Sequence, residues 1–182
     1  AWDFRADNGG TVRLYGDNSD LRGRLAIDTG SILELYHNNA LGSRYPVTVE
    51  MGWNNPTLRI GQGVRVGTNA VVAVDQAWRV NLNANALIGV APGATSAELA
   101  ASFSNQVVNA SGNNSIYFSV GTGQTLNVSG NLNGTGNWYV NGYGRVVFSG
   151  SGSTATGRFR NDVGWVEFGH PNALVNMGIE TY

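Results

Sequence analysis

The sequence contains no cysteine and no lysine. Without cysteine there is no disulfide framework, no thiolate zinc or iron–sulfur site and no thiol nucleophile. Without lysine there is no Schiff base and no P-loop lysine; all eleven basic residues are arginine. Charge is scarce as well. Charged residues make up 13% of the chain, about half the usual share, and the net charge is −1. Arginines and acids are scattered, so the basic patch that attracts nucleic acid is missing and no nucleic-acid partner is expected. No apolar run approaches the roughly 20 residues that span a bilayer, so no membrane insertion is expected.

What is present is glycine, asparagine and short apolar runs. The chain has 182 residues, 26 of them Gly and 22 Asn, with 4 Pro. That length fits one domain, 1–182, and a core burying roughly 70% of the unfolded surface. Apolar runs recur at Thr11–Tyr15, Ser31–Tyr36, Val47–Met51, Thr57–Ile60, Ala70–Val74, Trp78–Asn83, Ser115–Val120, Thr125–Val128, Trp138–Asn141, Arg145–Ser149 and Gly164–Phe168. Many alternate with period two, as Val12 and Leu14 or Val146 and Phe148 do, which is the pattern of strands with one buried face. Between them stand turn-forming stretches such as Asp17-Asn18-Ser19-Asp20, Asn54-Asn55-Pro56 and Gly150-Ser151-Gly152-Ser153. One segment reads differently. Thr95-Ser96-Ala97-Glu98 has capping-box spacing, and with Leu99, Ala100, Ala101 and Phe103 it predicts a short helix inserted near 96–104.

A repeat opens and closes the chain. Gly10-Thr11-Val12-Arg13-Leu14-Tyr15-Gly16 aligns with Gly144-Arg145-Val146-Val147-Phe148-Ser149-Gly150. The alignment continues through Gly23/Gly157, Arg24/Arg158, Asp28/Asp162 and Gly30/Gly164. After a one-residue gap, Glu34, His37 and Ala40-Leu41 lie over Glu167, His170 and Ala173-Leu174. The related units are 3–41 and 137–174. Repeated strand–turn units at low charge suggest a solenoid of about eight rungs, each stacked on the next. A two-sheet sandwich is the competing architecture. Against it, the turns lack even hairpin spacing, and Asn-Gly dipeptides are few: Asn8-Gly9, Asn133-Gly134 and Asn141-Gly142.

The run Gly123–Gly136 looks like the stretch that precedes the autotransporter-associated β-strand repeat, and the segment Gly142–Leu174 resembles the repeat itself, also called the passenger-associated transport repeat. The matching positions include Gly144, Val146, Phe148, Gly150, Thr156-Gly157, Gly164, Val166, Phe168 and Ala173-Leu174. The first unit matches at Gly10, Val12, Leu14, Gly16, Gly23, Gly30, Leu33, Leu35 and Ala40-Leu41. The resemblance covers somewhat under half of the chain. It implies an all-β right-handed parallel β-helix, secreted or held at the cell surface, and used as a stalk, adhesin or fibre.

No catalytic constellation stands out. HExxH, GxSxG and Walker A patterns are absent from the sequence, and neither a cofactor nor a metal is expected. Asp17 and Asp20 read as turn caps, with ion ligation as the alternative. His37 and His170 share one repeat position, which favours a turn histidine bonding backbone over a metal or proton site. Trp2, Trp53, Trp78, Trp138 and Trp165 read as packing residues, with sugar stacking as the alternative. Asn81, Asn83 and Asn85 alternate along one strand face and suit an axial ladder.

The function expected is structural or adhesive rather than enzymatic. An open rung leaves N–H and C=O groups unpaired and recruits another rung. The expected partner is a second copy, stacked head to tail through Trp2 and Phe4 at one end and Ile179 and Tyr182 at the other. Cell-surface or matrix polysaccharide is the other expected partner. The alternatives are a carbohydrate-active β-helix (lyase or hydrolase) and a glycan-binding fibre module.

Overall fold

A computed structural model describes residues 2–52, 54–74, 85–106, 114–174 and 176–181, with the side chains of Trp2 and Asp3 outside that description. Among the described residues the protein is all-β. Three parallel sheets hold nineteen strands. The first sheet contains, in spatial order, β1 (Trp2–Ala6), β3 (Gly23–Ile27), β5 (Val47–Met51), β8 (Ala70–Val74), β11 (Ser102–Asn105) and β14 (Leu132–Gly134). The second runs β2 (Thr11–Leu14), β4 (Ile32–Leu35), β6 (Thr57–Ile60), β9 (Asn85–Val90), β12 (Ser115–Ser119), β15 (Asn137–Asn141), β17 (Arg158–Asn161) and β19 (Gly178–Thr181). The third runs β7 (Arg65–Val66), β10 (Ser96–Leu99), β13 (Thr125–Val128), β16 (Arg145–Phe148) and β18 (Trp165–Phe168).

Sheet order follows chain order, and every ladder among the described residues is parallel. That excludes the antiparallel sandwich. Parallel neighbours cannot be joined by a tight hairpin, so the chain leaves for another sheet before it returns. The step to the partner strand is 20 residues at Arg145↔Trp165, 21 at Thr11↔Ile32 and 33 at Arg65↔Glu98. Corners use residues that tolerate positive φ. Asn54 and Asn55, at φ 62° and 58°, turn the chain from β5 to β6.

Alternation then builds the core. In the first sheet Leu25, Val49, Val72, Phe103 and Leu132 form one inward row across five strands. In the second, Leu33, Leu58, Ile88, Phe118 and Val140 do the same. Aromatic rings fill the half nearer the C-terminal strands. Phe103, Phe118, Trp138, Phe148 and Phe159 are all buried, and edge-to-face contacts link Phe118 to Phe148 at 5.0 Å and Phe148 to Phe159 at 5.4 Å. Burying each such ring contributes about 1.5–3 kcal/mol.

The helix expected near 96–104 is absent. The segment forms β10 and β11 instead. Ala97, Leu99, Ala101 and Phe103 are buried while Ser96 and Glu98 face out, a period of two rather than 3.6. Ladders to β7, β13, β8 and β14 satisfy the backbone on both sides of these strands. Tertiary pairing therefore outweighs a weak local helix preference. The expected strand Trp78–Asn83 and the ladder residues Asn81 and Asn83 lie outside the described residues.

One polar side chain sits in the core row. Asn105 is buried at the end of β11, and its amide donates to the Asn137 carbonyl at 2.9 Å. Gly134 (φ 114°) and Gly136 pass so close that a Cβ on either would overlap Asn105. The two glycines let a later pass of the chain lie flat against Asn105, Gly134 on its backbone and Gly136 on its side-chain amide.

Removing a central ring should be costly. Phe118→Ala is expected to lower unfolding stability by about 3–5 kcal/mol. Tyr143→Ala, at an exposed position, should stay within about 0.5 kcal/mol. Chemical denaturation of the two variants checks this.

Candidate functional site

The candidate site is the pair of sheet ends where a strand has a neighbour on one side only. At one end these are β1 in the first sheet and β2 in the second; at the other they are β18 in the third and β19 in the second. Each presents side chains that elsewhere in the same row are buried. Phe4 continues the Leu25–Val49 row yet is 44% exposed. Phe168 continues the Val128–Phe148 row, 6.4 Å from the Phe148 ring, yet is 46% exposed. Ile179 follows Trp138 and Phe159 and is 53% exposed. Val12, Leu14 and Val166 pack against the core but are only partly covered. A hollow beside Phe168 and Ile179 is lined by Gly169, His170, Pro171 and Leu174.

The expected contact residues thus divide. Phe4 and Ile179 stand at opposite ends, each uncovered. Trp2 is placed by its backbone alone, opposite Gly23 on the edge strand β1. Tyr182 lies outside the described residues. Val12, Leu14, Val166 and Phe168 complete the two ends and were not singled out by sequence. Their signal is there, because they are the apolar members of the first and last alternating runs.

The remaining sheet edges are covered. Amides of Thr154 and Ala155 donate to the Leu132 carbonyl at 2.9 and 3.0 Å, and that of Thr156 to Gly134 at 2.9 Å, so β14 has its outer carbonyls taken. The Asn38 side chain accepts from the Arg65 amide on β7 at 2.9 Å. Among the described residues, open edges are therefore confined to two sheets at each end.

Charged residues lie on the outward faces and pair along them. Glu34 is the clearest case. Its Oε2 accepts from Arg13 Nε at 2.7 Å and its Oε1 from Arg59 Nη1 at 3.3 Å, on the strands before and after it. Tyr36 adds a hydroxyl donor at 3.1 Å. Burial alone would raise the Glu34 carboxyl, but these three donors outweigh it and hold the group below its ordinary 4.5. Arg24–Glu50 at 2.6 Å, Arg65–Glu98 at 2.7 Å and Arg145–Glu167 repeat the motif.

The histidines and turn aspartates have structural roles. The amide of Asn39 donates to His37 Nδ1 at 3.1 Å, and the amide of Asn172 donates to His170 Nδ1 at the same distance. The repeat position thus preserves a turn bond. Asp17 Oδ1 accepts from the Ser19 hydroxyl, the Asn39 amide group and the Ser19 backbone, which together hold its carboxyl below the usual range. Asp20 pairs with Arg44 at 2.9 Å. Among the described residues no three His, Asp or Glu side chains gather closely enough to hold a metal ion.

Tryptophans split between core and surface. Trp138 is fully buried beside Phe118, whereas Trp165 faces out at 68% exposure; Trp53 and Trp78 lie outside the described residues. Outward on the second sheet, Tyr117 and Tyr139 stack at 4.7 Å with the Arg160 guanidinium 4.8 Å over Tyr139. A shallow groove with Thr57, Arg59, Leu87, Gly89 and Ser119 runs along the same sheet.

Among the described residues no helix is long and apolar enough to cross a membrane. In comparisons with known proteins, no family model, no curated protein and no solved structure matches the chain.

Because the Glu34 carboxyl titrates lower in the folded chain than in the unfolded one, its contribution is present above about pH 4.5 and lost as pH falls through the depressed value. Glu34→Gln should therefore be less stable than the parent at pH 7. The gap should narrow as the pH falls below about 4.5 and close once the depressed value is passed. Urea midpoints at both pH values test the sign.

Proposed function

We propose that this chain is a right-handed parallel β-helix of about eight rungs that serves as a structural, non-catalytic building block of an extracellular fibre, joined end to end with further copies of itself. The observation that carries this reading is the exposure of Phe4 at one end and of Phe168 and Ile179 at the other. Among the described residues these core-row side chains are uncovered, on strands whose outer N–H and C=O groups face away from any ladder. Edge strands of this kind pair readily with another chain. A second copy would cover both the apolar side chains and the backbone. The resemblance of 10–41 and 123–174 to passenger repeats supports a secreted or surface location. The ion-paired outer faces and turn-bound histidines support a scaffold over a reaction centre.

A second reading, a glycan-binding fibre face, is favoured by the Tyr117–Tyr139 stack with Arg160. Ring faces of this kind suit sugar stacking, and Tyr139→Ala would abolish retention on a polysaccharide column if it holds.

Assembly is the direct test. Purified protein should sediment in species that grow with concentration and give unbranched filaments by negative-stain electron microscopy. Phe168→Asp, which places a charge on the uncovered end, should shift the population to monomer while leaving the circular dichroism spectrum unchanged. A monodisperse monomer at high concentration, without filaments, would overturn the proposal.

A further inference from the structure

The outward face of the second sheet carries two rows of side chains, and one row has a gap. It runs Arg13, Glu34, Arg59 and Gly89 from β2 to β9. Gly89 offers no side chain, and a Cβ there would lie 2.5 Å from the Ser119 carbonyl oxygen, so backbone packing keeps the place empty. The row beside it runs Thr57, Leu87, Tyr117, Tyr139 and Arg160. The gap forms the floor of the shallow groove on this sheet, a space of about 230 Å³ with Arg59 on one bank and Ser119 on the other. Groove and tyrosine stack are continuous, because Leu87 of the groove pairs with Tyr117. The Tyr117 and Tyr139 rings stand 4.7 Å apart and nearly parallel, close to the strand spacing of about 4.8 Å, so their faces point along the row. Arg160 covers the far face of Tyr139. The near face of Tyr117 looks towards Leu87 and the groove.

Charge at the groove is not balanced. Glu34 is one carboxylate between two guanidinium groups, with Arg13 Nε at 2.7 Å and Arg59 Nη1 at 3.3 Å. Arg13 holds the closer contact. Arg59 gives Glu34 one nitrogen, and its Nε and Nη2 have no partner among the described residues. Elsewhere the cations are matched. Arg160 pairs with Asp162 and Arg158 with Glu180 on the same sheet. Arg5 has two carboxylates, Asp7 and Asp28, and Arg65 faces its own glutamate. The excess cation of the second sheet therefore stands at the groove.

Resting on the glycan-face reading above, we propose that this groove takes the carboxylate of an acidic polysaccharide, held by Arg59, while the polymer continues over Leu87 towards the tyrosine stack. A planar guanidinium with an open edge meets a carboxylate through two directed hydrogen bonds. Thr57 and Ser119 place hydroxyls on the banks, where they meet sugar hydroxyls. Leu87 and Pro92 give apolar surface to the C–H face of the ring. The space holds a single sugar ring with its acid group, and its shallow form lets the polymer pass on either side. Glu34 competes with the ligand for Arg59, so removing the Glu34 charge strengthens binding, whereas removing Arg59 weakens it and leaves Glu34 paired with Arg13.

The test measures binding of the full chain to polygalacturonate and to alginate, each as the acid salt and as the methyl ester. The ester keeps the sugar rings and removes only the charge, so the first comparison needs no variant. Binding to the acids should exceed binding to the esters by about tenfold or more, the effect of one charge-assisted contact. Arg59→Gln should lose that preference and Glu34→Gln should increase it. Arg65→Gln, which removes a cation from the third sheet, should change it by less than about twofold. Equal binding to acids and esters that is lost in Tyr139→Ala overturns the carboxylate site and leaves the glycan face standing. Equal losses in Arg59→Gln and Arg65→Gln overturn the groove, since charge on any sheet then suffices. No binding to any of these polymers overturns the carboxylate site and the glycan face together.

Discussion

Parallel pairing at long sequence separation is the constraint on which the rest of the structure depends. A parallel strand cannot fold back on its sequence neighbour. Each strand here therefore waits 20 to 33 residues for its partner. The intervening chain must visit another sheet and return in register, with inward side chains falling under inward side chains. Alternation, corner asparagines and close-passing glycines follow from that requirement. A slip of one residue would turn Phe103, Phe118 and Phe148 outward together and bring charge into the core.

The same constraint explains why charge is sparse and why what charge exists is paired. Outward rows place side chains about 4.8 Å apart along the stacking direction. Like charges directly opposite would repel. Glu34 between Arg13 and Arg59, and Glu98 beside Arg65, show the arrangement that row spacing permits. Arginine suits it because its planar fork reaches a carboxylate on a neighbouring strand with directed hydrogen bonds. Function and fold meet in this geometry, because rows that satisfy every interior strand leave β1 and β2 at one end, and β18 and β19 at the other, with a partner on one side only among the described residues. The proposed fibre extends the interior arrangement past the end of one chain.

Much of this was legible in the residues. Val47–Met51, Thr57–Ile60, Ala70–Val74 and Thr125–Val128 are strands with the bounds that their alternation marks out. The shared turn bond of His37 and His170 was legible from the repeat alone. The segment 96–104 was misread because capping-box spacing is a local signal, and the ladders that override it come from residues about 30 positions away. Phe168 and Val166 read as ordinary strand residues within their own run; only the place of that run as the last alternating one marks them, and that place was not used.

The sequence by itself determined the strand class, the repeat and the inward or outward sense of each run, because period-two patterning and glycine–asparagine corners act over a few residues. The tertiary structure alone decided which sheet each run joins, that the closing unit sits one face round from the opening one, and which edges remain open. Those choices depend on where the chain has turned by the time it returns, and turn angles accumulated over a hundred residues leave no local mark.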